Sequence, residues 1–89
     1  MKIPQLEKIL KALAYEKRLE IMQTLSQHKF ASVGYIADKI NLSIHATSKH
    51  LAILEHAKAV IGYREGNYIM YKLRPKMHGL IRSIIGRIS

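Results

Sequence analysis

The stretch NLSIHATSKHLAILEHAK, from Asn41 to Lys58, decides how the rest of the chain is read. Leu42, Thr47, Leu51 and Leu54, with Ala46 and Ala57 filling gaps, recur at the three- and four-residue spacing that stacks side chains on one side of an α-helix. Ser43 stands where an N-cap belongs, its hydroxyl able to accept from the amides of the first turn. The opposite face carries Ile44, His45, Ser48 and Lys49 near the helix start, and no acid follows them before Glu55. Small or polar side chains there, without a carboxylate to repel phosphate, suit a helix whose N-terminal half enters a DNA major groove. An ordinary amphipathic helix with a solvated face shares the pattern. The flanking sequence separates the two.

Upstream, Ile3, Leu6, Ile9, Leu10 and Leu13 form a helical stripe, with Pro4 in a first turn that tolerates it. A second helix is expected over roughly Glu16 to Gln27, burying Leu19, Ile21, Met22 and Leu25. His28 to Ala31 reads as a short connection. Ser32 can cap a third helix, Val33 to Lys39, that buries Val33, Ile36, Ala37 and Ile40. Ile40-Asn41-Leu42 then forms a tight turn, Asn41 being a residue type that tolerates left-handed backbone. A short helix, a tight turn and a helix with a bare polar N-terminal face make a helix-turn-helix over 32–57.

Downstream the period changes from helical to alternating. Val60, Ile61, Tyr63 and Arg64 lead into Glu65-Gly66-Asn67, followed by Tyr68 to Leu73. Aromatic and β-branched residues around a Gly-Asn turn predict a β-hairpin over 60–73. Ile69, Tyr71 and Leu73 alternate onto one face, and Tyr68, Met70 and Lys72 onto the other. A hairpin directly after a helix-turn-helix is a wing, and its polar tip, Arg64 to Tyr68, can lie along a phosphate backbone. Pro75 ends the strand, and Met77, Leu80, Ile81, Ile84, Ile85 and Ile88 resume helical spacing. The expected architecture is mainly α with a small β-hairpin, a winged helix-turn-helix in the order α-α-α-α-β-β-α, forming one domain over 1–89.

The last helix carries an apolar stripe beyond what three helices and a wing need. Paired with the first helix, it predicts a homodimer seam built from 1–14 and 75–89. Ile3, Leu6 and Leu10 would meet Met77, Leu80, Ile81, Ile84, Ile85 and Ile88. The same stripes would equally complete a monomer core. A chain of 89 residues buries only about two-thirds of its unfolded surface, which makes oligomerisation a natural supplement.

Fifteen Lys and Arg against six Asp and Glu give a formal net charge of +9, which favours a polyanionic partner. No acid follows Glu65, whereas Lys72, Arg74, Lys76, Arg82 and Arg87 all do. The absence of cysteine excludes disulfides and thiolate metal sites. No apolar run approaches the roughly 20 residues of a membrane span. Glu7 and Lys8 interrupt the N-terminal stripe, unlike a secretion signal. A cytoplasmic protein without a membrane partner is expected.

The chain resembles the ArsR/SmtB-type winged-helix transcriptional repressors over roughly residues 7–74. Leu10-Lys11-Ala12-Leu13-Ala14 with Arg18-Leu19-Glu20-Ile21-Met22 looks like the family's K-A-L-A…R-L-x-I-L. Ala31-Ser32-Val33-Gly34-Tyr35-Ile36-Ala37 looks like x-S-V-x-x-L-A. Leu42-Ser43 with Ser48-Lys49-His50-Leu51 looks like L-S-x-x-x-x-S-R/K-H-L, the most specific piece. Val60 and Arg64-Glu65-Gly66 with Tyr71-Lys72-Leu73 look like L-V…R-x-G…Y-x-L.

Departures from the family pattern are informative. Tyr15-Glu16-Lys17 stands where Asp-Pro-Thr often starts the second helix. Lys58 stands where a glycine usually ends the recognition helix, and a left-handed backbone there costs a lysine roughly 1 kcal/mol. Metal-sensing members carry Cys-Val-Cys where this chain has Ser32-Val33-Gly34, so their thiolate site is missing. Histidine does not replace it. His45, His50 and His56 are spaced by five and six residues, which turns them apart instead of forming the i, i+4 clamp. His78 has no acid near it in sequence and His28 lies on a connector. No metal, cofactor or catalytic group is expected: Asp38 is the single aspartate, and no serine or histidine has a carboxylate at a useful spacing.

These residues and the resemblance together imply a homodimeric, sequence-specific repressor that binds a palindromic operator on double-stranded DNA. Ser43, His45, Ser48 and Lys49 are candidates for base edges or adjacent phosphates, Ser43 serving equally well as a cap alone. Ile44 suits a thymine methyl. Thr47 reads as half-buried, for packing or a phosphate. Arg64, Asn67 and Tyr68 in the wing, with Lys49, would hold phosphates. Two other readings use the same residues: a nucleic-acid binder without specificity, and a protein-interaction winged helix.

Overall fold

Local signals in the sequence set most element boundaries. The computed structural model describes residues 1–85; Arg87 and Ile88 lie outside the described residues. Helix α1 spans Ile3–Leu13 with Pro4 in its first turn, and α2 spans Glu16–Ser26. Helix α3, Val33–Ile40, starts where the Ser32 hydroxyl accepts from the Tyr35 amide at 3.1 Å. It ends at Asn41, whose φ of 62° and ψ of 45° are left-handed. The Asn41 and Leu42 amides return to carbonyls of the last turn, so the orphan carbonyls are satisfied as the chain reverses. Helix α4, Ile44–His56, starts with the Ser43 hydroxyl accepting from the Ala46 amide at 3.1 Å. Lys58 ends it with a φ of 68°, the left-handed geometry expected at that position.

Strands β2, Val60–Glu65, and β3, Tyr68–Leu73, form the hairpin, with Gly66 at a φ of 61° in the turn. A third strand, β1, Ala31–Ser32, pairs antiparallel with β3, Ala31 opposite Tyr71 and Ser32 opposite Met70. The sheet order is β1-β3-β2. The element order is therefore α-α-β-α-α-β-β-α, with β1 where the sequence reads as the end of a connection and a helix cap. Two residues are too few to show an alternation. They become a strand because the free edge of β3 reaches them.

The core forms around α2, which touches α1, α3, α4, α5 and β3. Ile9, Ile21, Met22, Leu25, Ile36, Ile40, Leu51 and Leu54 are fully buried. Each such side chain contributes about 1.5–3 kcal/mol relative to exposure, opposed by the entropy of ordering it. Helix α5, Met77–Ile84, lies on α2. This corrects part of the expected seam: Met77, Ile81 and Ile85 are 0%, 1% and 5% exposed and belong to the core of their own chain. Their four-residue spacing turns them toward α2, whose flank they close. Leu80 is half-buried and Ile84 is 43% exposed. Helix α1 divides likewise, with Ile9, Ala12 and Leu13 inward, Ile3 and Leu10 outward and Leu6 half-buried.

One close approach fixes the wing against α4. The Gly62 amide donates to Glu55 Oε2 at 3.2 Å, and a Cβ at residue 62 would lie 2.7 Å from the Tyr71 ring. Only glycine lets the strand pass so near. Burial, and then the Glu55 carboxylate, push the Tyr71 phenol above its ordinary pKa.

Candidate nucleic-acid interface

Helix α4 separates its two faces by angle. Thr47, Leu51 and Leu54 point inward and are 0% exposed. Ile44 is 60% exposed, Ser43, His45 and Lys49 are exposed, and Ser48 is half-buried. His45 and Lys49, an i, i+4 pair, point away from the inner stripe. Ile44, seven residues before Leu51, lies in line with that stripe and is exposed as the first residue of the helix, with half-buried Ser48 one turn on. Thr47, one turn before Leu51, lies on the inner face as the spacing predicts, fully buried where the sequence suggests half-buried. Of its two expected roles it has the packing one, and its burial corrects its place among the DNA contacts. Its hydroxyl is buried with no hydrogen-bond partner among the described residues.

A cluster unrelated to the outer face holds α4 in place. Arg18 Nε donates to His50 Nδ1 at 3.1 Å, and Arg18 Nη1 donates to the Ala12 carbonyl at 3.3 Å. The guanidinium lies over the Tyr15 ring at 4.4 Å, and that ring meets His50 at 5.9 Å. One side chain of α2 thus ties the end of α1 to the middle of α4. Burial, and then the Arg18 charge, lower the His50 pKa below 6.5, in keeping with an Nδ1 that accepts and carries no proton. Lys17 Nζ also donates to the Ile40 carbonyl at 2.7 Å, fixing the end of α3 to α2. Nothing in the sequence signals this cluster, because Arg18 and Tyr15 are 32 and 35 residues from their partner His50.

The wing does not gather its three expected residues on one side. Arg64, Asn67 and Tyr68 are all exposed. Arg64 is opposite Ile69, whereas Tyr68 is opposite Glu65. Directly paired residues share a face and neighbours alternate, so Arg64 and Tyr68 project to opposite faces of the hairpin. Neither Lys49 nor Arg64 is in an ion pair among the described residues, where the pairs are Lys11–Glu7 and Lys17–Glu20. No three His, Asp or Glu side chains converge as a metal site requires among the described residues.

A helix-turn-helix whose second helix leaves its N-terminal face free, followed by a β-hairpin, defines a winged helix-turn-helix domain. No protein-family model matches the sequence. Individual relatives do. The transcriptional activator HlyU of Vibrio cholerae is 37% identical over 65 residues, which cover 73% of this chain and 59% of HlyU. The solved structure of V. cholerae HlyU superposes with a TM-score of 0.85 at 30% identity, covering 94% of each chain. The transcriptional repressor PagR of Bacillus anthracis gives a TM-score of 0.82 at 29% identity, covering 92% of this chain and 94% of that one. Mb0332 of Mycobacterium bovis, a homodimeric winged helix-turn-helix DNA-binding domain and possible ArsR-family regulator, shares the fold. Its TM-score is 0.84 at 24% identity, covering 97% of this chain and 79% of its own. The chain belongs to the ArsR-type winged helix-turn-helix transcriptional regulators.

Proposed function

We propose that the protein is a sequence-specific double-stranded DNA-binding regulator that acts as a homodimer on a palindromic operator, repressing by occupying it. The observation that carries this reading is the outer N-terminal face of α4. Ile44, His45, Ser48 and Lys49 stand there exposed or half-exposed, with no acid on that helix before Glu55. His45 and Ser48 read base edges, Ile44 meets a thymine methyl, and Ser43 adds a phosphate contact to its capping role. Lys49, Arg64, Asn67 and Tyr68 hold phosphates, Arg64 and Tyr68 from the two faces of the wing.

Residues 32–57 do the reading, 60–73 brace the backbone, and the outer parts of 1–14 and 75–89 join the two chains. The dimer contact consists of the residues that the chain leaves uncovered. Ile3, Leu6 and Leu10 line an apolar groove of about 360 Å³ on α1, and Leu80 and Ile84 are the outward residues of α5. No cofactor enters the activity, and a DNA partner goes with a cytoplasmic location. No helix is long and apolar enough to cross a membrane among the described residues.

Selection of bound duplexes from a randomised pool, at about physiological salt where nonspecific binding weakens, tests the reading. The expected result is a palindrome with half-sites about 10 base pairs apart. Retention without enrichment would identify a nonspecific binder, and no retention an interaction module. On the selected operator, Lys49→Ala lowers the salt slope by about 0.9 for each phosphate that is no longer neutralised. His45→Ala relaxes preference at one or two base pairs and leaves that slope alone.

A further inference from the structure

Three large aromatic side chains remain exposed around one cleft: Phe30 at 49%, Tyr35 at 39% and Tyr68 at 67%. The cleft has a volume of about 390 Å³ and is also lined by His28 and Met70. That size lies within the range of small-molecule sites, roughly 300–1,000 Å³. The short strand β1 builds it. Pairing of Ser32 with Met70 sets β1 beside β3, and alternation puts Tyr68 on the same face as Met70. Phe30 enters just before β1, and Tyr35 enters from the first turn of α3. No residue of α4 takes part.

The walls define a ligand chemistry. The π faces and the Met70 thioether favour a flat, unsaturated body. No Lys, Arg, Asp or Glu lines the cleft among the described residues. The Lys39 ammonium lies 5.4 Å from the centroid of the Tyr35 ring without joining the lining. The walls themselves therefore carry no carboxylate, ammonium or guanidinium to pair with a charged ligand. One polar point is fixed. The Tyr35 hydroxyl and His28 Nε2 are 3.2 Å apart, and their rings meet edge to face with centroids 5.1 Å apart. Whichever partner holds the bridging proton, the hydroxyl keeps a further hydrogen-bonding position. The Ser32 hydroxyl, also in the lining, accepts from the Tyr35 amide and keeps its own O–H to donate. We propose that this cleft is a binding site for a neutral, planar heteroaromatic small molecule with one polar edge, held between α3 and the wing. The proposal shares Tyr68 with the DNA-binding reading but not its test: the titration below contains no DNA, so its failure leaves that reading untouched.

Indole is a suitable probe, because the chain contains no tryptophan and indole emission excited to the red of tyrosine reports the ligand alone. The expected result is a saturable emission shift with a Kd on the order of 1 mM or tighter. Phe30→Ser and Tyr68→Ser each raise that Kd by roughly fivefold, as removal of one aromatic wall predicts. Tyr35→Phe removes any preference for indole over N-methylindole. Tyr63→Ser, outside the lining, leaves binding as in the parent chain. All these side chains are exposed or half-exposed, and circular dichroism checks that the variants fold. A shift that does not saturate would overturn the proposal, as would unchanged binding in both Phe30→Ser and Tyr68→Ser.

Discussion

The helix-turn-helix and the pair of terminal helices both carry apolar stripes, yet they differ in how the stripes are used. In α3 and α4 the signals are local. A serine caps each helix, Asn41 takes the left-handed turn, and the inner faces follow the spacing. In α1 and α5 the spacing identifies an apolar side without saying what covers it. Met77, Ile81 and Ile85 turn out to cover α2 of the same chain, while Ile3, Leu10 and Ile84 remain exposed. Periodicity thus ranks faces by polarity, and only packing assigns each face a neighbour.

The largest test of that contrast substitutes two neighbours on α5. Ile81→Ala removes a buried side chain and should cost about 2–5 kcal/mol in denaturant unfolding. Ile84→Ala should change monomer stability by less than about 0.5 kcal/mol while weakening self-association in sedimentation. Equal losses of stability from both would erase the division of α5 into a core side and an outer side.

Within α4 the contrast sharpens at Thr47. Thr47→Val keeps the shape and removes a buried hydroxyl without a partner, so unfolding free energy should rise by about 1 kcal/mol. Operator affinity should stay the same. A loss of affinity would return Thr47 to the interface. At the end of the same helix, Lys58→Gly relieves a left-handed lysine and should add about 0.5 kcal/mol, the left-handed penalty less the backbone entropy of glycine. No gain in thermal melting would mean that the Lys58 side chain makes up the difference.

The smallest expected effect is a pH dependence. Folding lowers the His50 pKa, so the unfolded chain takes up the proton first as pH falls. The stability from neutral His50 is therefore present above about 6.5, the ordinary histidine value. It is lost as pH falls below that through the folded pKa. His50→Gln keeps an acceptor for Arg18 and cannot titrate, so its Tm should fall less between about pH 8 and pH 5 than that of the parent chain. Identical pH profiles would remove His50 from the acid response.

Much of the candidate site is legible because groove-facing residues on a helix follow from where the core residues lie. Once Leu51 and Leu54 are inside, His45 and Lys49 must be outside, and Thr47, one turn before Leu51, inside. Ile44 escapes that logic: seven residues before Leu51 it falls in line with the inner stripe, yet as the first residue of α4 it is 60% exposed. Arg18 and Tyr15 escape it because their contact with His50 joins residues distant in sequence and shows no period. The opposed projection of Arg64 and Tyr68 follows from strand register, which a turn of two residues, Gly66 and Asn67, sets to within one residue and so inverts or preserves every face.

By itself the sequence determined the caps, the turn at Asn41, the order of the five helices and the hairpin, and the basic, acid-free outer face of α4. All of these depend on interactions within a few residues or on composition. The tertiary structure alone decided that β1 joins the sheet, that one side of α5 belongs to the core, that Arg18 locks α4, and that Phe30, Tyr35 and Tyr68 line one open cleft. Those outcomes depend on contacts between distant segments, whose free energy exists only after the chain has closed around α2.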